Sequence, residues 1–294
     1  MGTRRAPRQS PLCFRTAPLA RQRTRCRPDP AQRRDAALTD TPHASSANSA
    51  ADFAQLRDDV ESWQHQRLRG ALVSRYASPL LENLLVRPDA SFEQPGAQII
   101  KQDVKTTLAT TSFDGARYVI KRYNCTSPLH RLRLAVSTSR AEHSFWAARQ
   151  FTRIGIVTTL PVAWVQETRW GLRGRSWFVY EHTDDAIRAD DLSDESDPEQ
   201  IDQMLGTMVR NLVRMREHGF SHGDMKPPNY LITASRAVMI DLDGVRQHKH
   251  VGACQQALAR DVARWTRWWD QDDPQPGISN KSKALLQAAG FAVD

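Results

Sequence analysis

The 294-residue sequence has no long apolar run; nothing in it approaches the roughly eighteen residues a membrane-spanning helix needs. Its four cysteines, Cys13, Cys26, Cys125 and Cys254, are widely separated and form no CxxC pair or Cys/His ligand spacing. That excludes a cysteine-based metal module and reads as inert thiols in a reducing cytoplasm. The N-terminal segment lacks the apolar core of a secretory signal. Acidic residues are scarce where basic ones are dense. Residues 1–34 hold ten arginines against a single acidic residue, Asp29, so of the net charge of +8 this segment carries +9 and the other 260 residues −1. The sequence pI near 9.6 therefore belongs to the tail, and charge gives no ground for a nucleic-acid-binding body.

The 40% of hydrophobic residues suffice for a sizeable core in one large domain or two lobes. Residues 1–50, rich in Arg, Pro, Ala and Ser, read as a disordered tail. A transit-like leader, an arm for anionic surfaces and a start codon placed too far upstream are competing readings of the same composition. Residues 51–97 read as a helical extension, with Phe53, Leu56, Val60 and Trp63 spaced by three and four. QIIKQDV, TTLATTSF and RYVIKRY, with a turn at Asp114–Gly115, predict an antiparallel start to a small sheet. The stretch SRAEHSFWAARQFTRIG predicts a helix ending at Gly155, and LPVAWVQE and SWFVYE predict further strands. Asp197 as N-cap, Pro198 behind it and Gly219 at the end bound the clearest helix in the chain. That helix runs directly into HGDMKPPN (222–229), a short hairpin comes next, and IDLDG ends its second strand.

These two acid-bearing loops carry the chemistry. Phosphoryl transfer needs a cation on the phosphates, carboxylates for Mg²⁺, and a carboxylate that accepts the proton of the attacking hydroxyl. Each part has a candidate in the required order. Lys121, in the strand YVIKRY, matches the phosphate-contacting lysine of a VAIK-type strand, and Glu142, near the start of the next helix, is placed to pair with it. HGDMKPPN matches H-R-D-x-x-x-x-N, with Asp224 as base, Lys226 beside it neutralising charge, and Asn229 as metal ligand five residues on. Asp241 matches the metal-binding aspartate of DFG, and Asp243 stands where its glycine would be. The expected fold is α+β and two-lobed, protein-kinase-like, with residues 98–183 as sheet lobe and hinge and 184–294 as a reduced helical lobe.

Three departures narrow the class. Gly223 replaces the Arg of HRD, there is no APE, and only 53 residues come after Asp241. The Gly-rich loop is also missing, which leaves the hydroxyls of Thr106 and Thr107 and nearby backbone amides to cover the phosphates. HGD is typical of kinases acting on small molecules and sugars, and the short segment after Asp241 argues against a peptide acceptor.

The blocks VIKRYN, SRAEHSFWAARQFTRIGI, PVAWVQ, FSHGDMKPPNYLI and MIDLDGVR resemble the bacterial lipopolysaccharide kinase family, the InaA-like relatives of the Kdo and heptose kinases, over roughly residues 98–270. The resemblance implies ATP and Mg²⁺ as cofactors and a sugar hydroxyl of the lipopolysaccharide core as acceptor. It also implies action at the cytoplasmic face of the inner membrane without nucleic-acid partners, and a hinge, WFVYEHT, that holds adenine near Glu181 and Thr183. A kinase of a metabolite or protein on the same scaffold, and a nucleotide-binding pseudokinase, are the alternatives. Trp265, Trp268 and Trp269 share a helical face and read as core, with a sugar or lipid platform as the rival reading. The stretch His248-Lys249-His250 reads as an exposed polar turn rather than a metal pair.

Overall fold

The computed structural model describes residues 59–125, 138–169 and 172–293, all within one unit, Ser46–Asp294. The tail readings for 1–50, and the residues Phe53 and Leu56, lie outside the described residues. In chain order the first strands and helices are β1 (Val60–His65), β2 (Leu68–Val73), α1 (Pro79–Val86), β3 (Gln98–Gln102), β4 (Thr106–Phe113), β5 (Ala116–Tyr123), α2 (Arg140–Arg153), β6 (Pro161–Arg169) and β7 (Leu172–Glu181). The strands form one antiparallel sheet in the order β1-β2-β6-β7-β5-β4-β3.

Both faces of this sheet are covered, so side chains alternate between two cores. On one face Leu81, Leu84 and Leu85 of α1 pack with Leu72, Ile120, Trp177 and Val179. On the other, Phe145, Ala148 and Phe151 of α2 pack with Val73, Tyr123, Trp164 and Phe178. The turn between β4 and β5 has Asp114 and Gly115 at φ 50° and 73°, as a two-residue hairpin requires. Ser139 caps α2 by accepting from the Glu142 amide at 3.1 Å, and Gly155, at φ 76°, lies just past its end.

The helical expectation for 51–97 is corrected. Residues 60–73 form a hairpin, and among the described residues of this stretch α-helix appears only at Pro79–Val86, flanked by short 3-10 turns at Ser74–Tyr76 and Pro88–Phe92. Val60 and Trp63 keep their three-residue spacing, but β2 pairs with β6 from Leu68↔Glu167 to Leu72↔Ala163, which satisfies its backbone in the sheet. At Gly70 a Cβ would meet the Trp164 carbonyl oxygen at 2.0 Å, so the two backbones approach too closely for any side chain. Strands β1 and β2 therefore already belong to the sheet, ahead of residue 98.

Beyond the sheet the chain continues through β8 (Ile187–Arg188), α3 (Pro198–His218), β9 (Phe220–Ser221), β10 (Tyr230–Ile232), β11 (Ala237–Met239), β12 (Arg246–Gln247), α4 (Val251–Arg267) and α5 (Pro276–Ala288). The Asp197 side chain accepts from the Glu199 amide at 3.0 Å, and Gly219 ends α3 at φ 74°. Strands β10 and β11 form the expected short hairpin. Met204, Leu205, Met208 and Leu212 of α3, with Trp265 and Trp269, extend the core that begins under α2. No helix among the described residues is long and apolar enough to cross a membrane.

Candidate phosphoryl-transfer site

Between the β3–β4 turn, the inner end of β5 and the two acidic loops lies a cavity of about 490 Å³, within the range of small-ligand sites. Lys121, Asn229, Asp241 and Lys226 line it, together with Thr106, Arg140, Asp243 and Trp268. Residues separated by more than a hundred positions thus meet in one place.

The loop 222–229 is held from below by α4. The Asp261 carboxylate, 2% exposed, accepts from the His222 amide at 2.8 Å and from the Gly223 amide at 2.9 Å. One helical turn on, Arg264 donates to the Gly223 carbonyl at 3.1 Å and to Asp224 Oδ1 at 2.5 Å. Positions i and i+3 share a helix face, so α4 holds this loop through two side chains at once. Asn229 Nδ2 donates to the Asp224 carbonyl at 2.7 Å, and Lys226 Nζ lies 3.0 Å from Asp224 Oδ2. Burial alone would raise the Asp224 pKa. Lys226, Arg264 and Asn229 outweigh it and hold the carboxyl below its ordinary value, hence ionised near neutrality.

The glycine at 223 has a steric cause. Its φ is 82°, and an added Cβ would lie 2.5 Å from the Gly244 carbonyl oxygen. The two acidic loops touch backbone to backbone, which leaves no room for the arginine of HRD.

Asp241 sits at φ 58°, a left-handed conformation uncommon for a side-chain-bearing residue. Its side chain is 39% exposed, and Lys121 Nζ donates to it at 2.6 Å. Asp243 is more enclosed, at 14%. Its Oδ2 accepts from Lys121 at 3.1 Å and Arg140 at 2.6 Å; its Oδ1 accepts from Ser144 at 2.7 Å and from the Tyr123 hydroxyl. Burial pushes this carboxyl up, but the cations Lys121 and Arg140 and the two hydroxyls prevail and bring it down to about 2. For Lys121 burial works the other way, and the two carboxylates overcome it to raise its pKa.

The expected Lys121–Glu142 pair is not formed. Glu142 lies in the first turn of α2 with its amide on Ser139, and the ion pairs of Lys121 among the described residues go to Asp241 and Asp243 instead. Helical residues advance about 100° each, so Arg140 and Ser144 share the face toward Asp243 while Glu142 points away.

Thr106 lines the cavity, but its hydroxyl donates to Asp103 at 3.2 Å. Thr107 is turned to the opposite side of the strand, where its hydroxyl accepts from Arg122 at 3.0 Å. The amides of Lys105 and Thr106 both donate to Asp103 Oδ1 at 2.7 Å, so neither is free for a ligand. Glu181 and Thr183 lie one and three residues after Tyr180, which lines the cavity, but do not line it themselves. The Glu181 amide is bonded to the Leu160 carbonyl at 2.9 Å, and its side chain accepts from Tyr76. Trp265 and Trp269 are fully buried, whereas Trp268 is half-buried and reaches the cavity. His248 Nε2 lies 2.8 Å from Ser221 Oγ, and no group of three or more His, Cys, Asp or Glu suited to a metal occurs among the described residues.

A family model for the RIO domain matches residues 175–277, the segment that carries Asp224, Asn229, Asp241, Asp261 and Arg264. No curated protein matches the chain. A solved structure described as "WaaP in complex with acyl carrier protein" superposes with a TM-score of 0.53 at 16% identity, covering 72% of this chain and 86% of that one. The chain has the protein-kinase-like fold. In that fold the phosphate-covering turn joins the two strands before the one bearing the lysine. The turn at the same position in this chain is β3–β4, where Asp103 ties the amides of Lys105 and Thr106. The strands β1 and β2 add to the sheet edge beyond β6.

Asp261 and Arg264 were not picked out by motif spacing. Their signal lies in the helix: Asp261 interrupts the buried stripe of Leu258, Val262 and Trp265, where an ionised residue persists only with partners.

Proposed function

We propose that the chain is an ATP- and Mg²⁺-dependent phosphotransferase whose acceptor is a sugar hydroxyl of the lipopolysaccharide core. The observation that carries this reading is the convergence of Lys121, Lys226, Asn229 and Asp241 around one cavity, with Asp224 directly behind the lining in contact with Lys226 and Asn229. Asp241 and Asn229 offer hard oxygen donors, and one or two carboxylates completed by substrate phosphates are what Mg²⁺ ordinarily takes. The donor set and the cavity volume therefore fit a magnesium nucleotide. When bound, the metal supplies charge neutralisation at the transferring phosphoryl group.

The chain's own residues have separable tasks. Asp224 is ionised and oriented by Arg264 and Asn229, so it accepts the acceptor's hydroxyl proton; Lys226 offsets charge beside it. Lys121 contacts phosphate oxygens. The hinge after the cavity-lining Tyr180, around Glu181 and Thr183, is assigned to the base by the resemblance to lipopolysaccharide kinases, and not by the lining of the cavity. A sugar acceptor is supported by the resemblance to lipopolysaccharide kinases and by the short link after Asp241. Only residues 242–250 separate it from α4, which leaves no extended segment to grip a peptide. The similarity to WaaP adds the same fold. Residues 98–183 and 184–294 divide as sheet lobe with hinge and helical lobe, with 60–97 joining the first.

The deciding experiment is mass spectrometry of core oligosaccharide from cells with and without the gene, read together with Mg²⁺-dependent ATP turnover. A mass difference of one phosphate supports the reading. Turnover without that difference moves the acceptor to a metabolite or protein. Nucleotide binding without turnover makes the chain a pseudokinase, an outcome to which the occupied amides of the Asp103 turn lend weight.

A further inference from the structure

We propose that Asp243, and not Glu142, is the residue that positions Lys121 and ties α2 to the metal-binding loop. The inference rests on the phosphotransfer reading above and adds a role to the same site. The DFG match puts Asp243 at a glycine position, where no function is expected of a side chain. Four donors from two elements nevertheless converge on its two oxygens: Lys121 and Tyr123 from β5, Arg140 and Ser144 from α2. A carboxylate offers about four lone-pair sites, so this set leaves Asp243 no free capacity for a metal. Asp241, by contrast, has a single ion-pair partner among the described residues and is the more exposed of the two.

The geometry also gives Lys121 two distinct neighbours. Asp241 shares Lys121 with the open cavity, whereas Asp243 holds it from the enclosed side. When a magnesium nucleotide engages Asp241, Asp243 remains as the contact that keeps the ammonium in place. The Tyr123 ring supports the arrangement, with Lys121 Nζ 5.1 Å and the Arg140 guanidinium 4.6 Å from its centroid. Asp243 is thus a positioning residue: it acts on phosphate through Lys121 and on α2 through Arg140 and Ser144.

The test compares Asp243→Asn, Arg140→Gln and Glu142→Gln with the wild type in the full chain. The probe is Mg-ATP hydrolysis without added acceptor, together with amide hydrogen exchange across 140–153. Expected for Asp243→Asn are a kcat at least ~10-fold lower, a KM for ATP and half-saturating Mg²⁺ within about threefold, and faster exchange in α2. Arg140→Gln should shift these in the same direction, and the double variant should lose less than the product of the single losses, as partners in one network do. The loss in Asp243→Asn should exceed that in Glu142→Gln. Unchanged exchange in α2, or a Glu142→Gln loss as large as that of Asp243→Asn, overturns the inference while leaving the phosphotransfer reading intact. A dominant rise in half-saturating Mg²⁺ makes Asp243 a metal ligand and overturns it as well. Absence of wild-type binding and turnover of Mg-ATP refutes the phosphotransfer reading itself, and the positioning role with it.

Discussion

Replacing Asp261 by asparagine isolates the support beneath the candidate catalytic loop. The carboxylate is 2% exposed and accepts from two consecutive amides, His222 at 2.8 Å and Gly223 at 2.9 Å. Asparagine keeps the shape and one acceptor oxygen, but its NH₂ must face an amide donor. One buried N–H is thereby left without a partner, at about 1–3 kcal/mol, and the surviving bond no longer has a charged acceptor. The net expectation is about 2–3 kcal/mol of lost stability. At roughly 2–4 °C per kcal/mol for a body of this size, the thermal midpoint should fall by about 4–12 °C. Turnover should fall further than the unfolded fraction explains, because Asp261 and Arg264 together hold Gly223 and Asp224 in place. Thermal melts by circular dichroism and Mg-ATP turnover, measured well below the new midpoint, give the two numbers. A midpoint within about 1 °C of wild type, with turnover unchanged, would show that the loop holds its shape without Asp261.

Asp224→Asn should fold like the wild type, bind Mg-ATP and lose about 10²–10⁴-fold in acceptor phosphorylation, the usual reach of a general base; turnover within about twofold of wild type removes Asp224 from the reaction. Asp241→Ala should raise the Mg²⁺ concentration needed for nucleotide binding by roughly tenfold or more in titration calorimetry, and an unchanged requirement would place the metal elsewhere. Gly223→Ala should destabilise by more than the roughly 1–2 kcal/mol of its left-handed backbone, because the new methyl meets the Gly244 carbonyl; a melt matching wild type would refute the contact between the loops. For pH, Asp243 is lowered to about 2, so its stabilising contribution is complete above its unfolded value of about 4 and is lost as pH falls toward 2. The midpoint of wild type should therefore drop more steeply below about pH 4 than that of Asp243→Asn, and parallel acid limbs would count against it.

Much of the helical part was legible because its signals are local. Asp197, Pro198 and Gly219 are adjacent to the helix they bound, and the five-residue step from Asp224 to Asn229 lies within one loop. Backbone dihedrals and short-range hydrogen bonds decide such features, and the neighbouring residues fix them. The order of strands, helix and acidic loops was readable for the same reason. The hairpin at 60–73 was not: its strand conformation depends on β6, about a hundred residues away, whose edge offers β2 a continuous ladder. Local spacing of apolar residues carries no information about that edge.

The partner of Lys121 shows the division most clearly. Sequence placed a lysine on a strand and an acidic residue early in the next helix, and both are there. Which residues of α2 face the lysine depends on how the helix is rotated when Phe145, Ala148 and Phe151 pack on the sheet. That rotation turns Arg140 and Ser144 toward Asp243 and leaves Glu142 off that face, and Asp243, 122 residues from Lys121 in sequence, takes the place beside the ammonium. Asp261 and Arg264 reach the loop at 222–224 by the same kind of long-range approach. The sequence by itself determined which groups are available and which short segments carry them. Tertiary packing decided which of those groups meet, because a buried charge is stable only beside partners that the folded core brings to it.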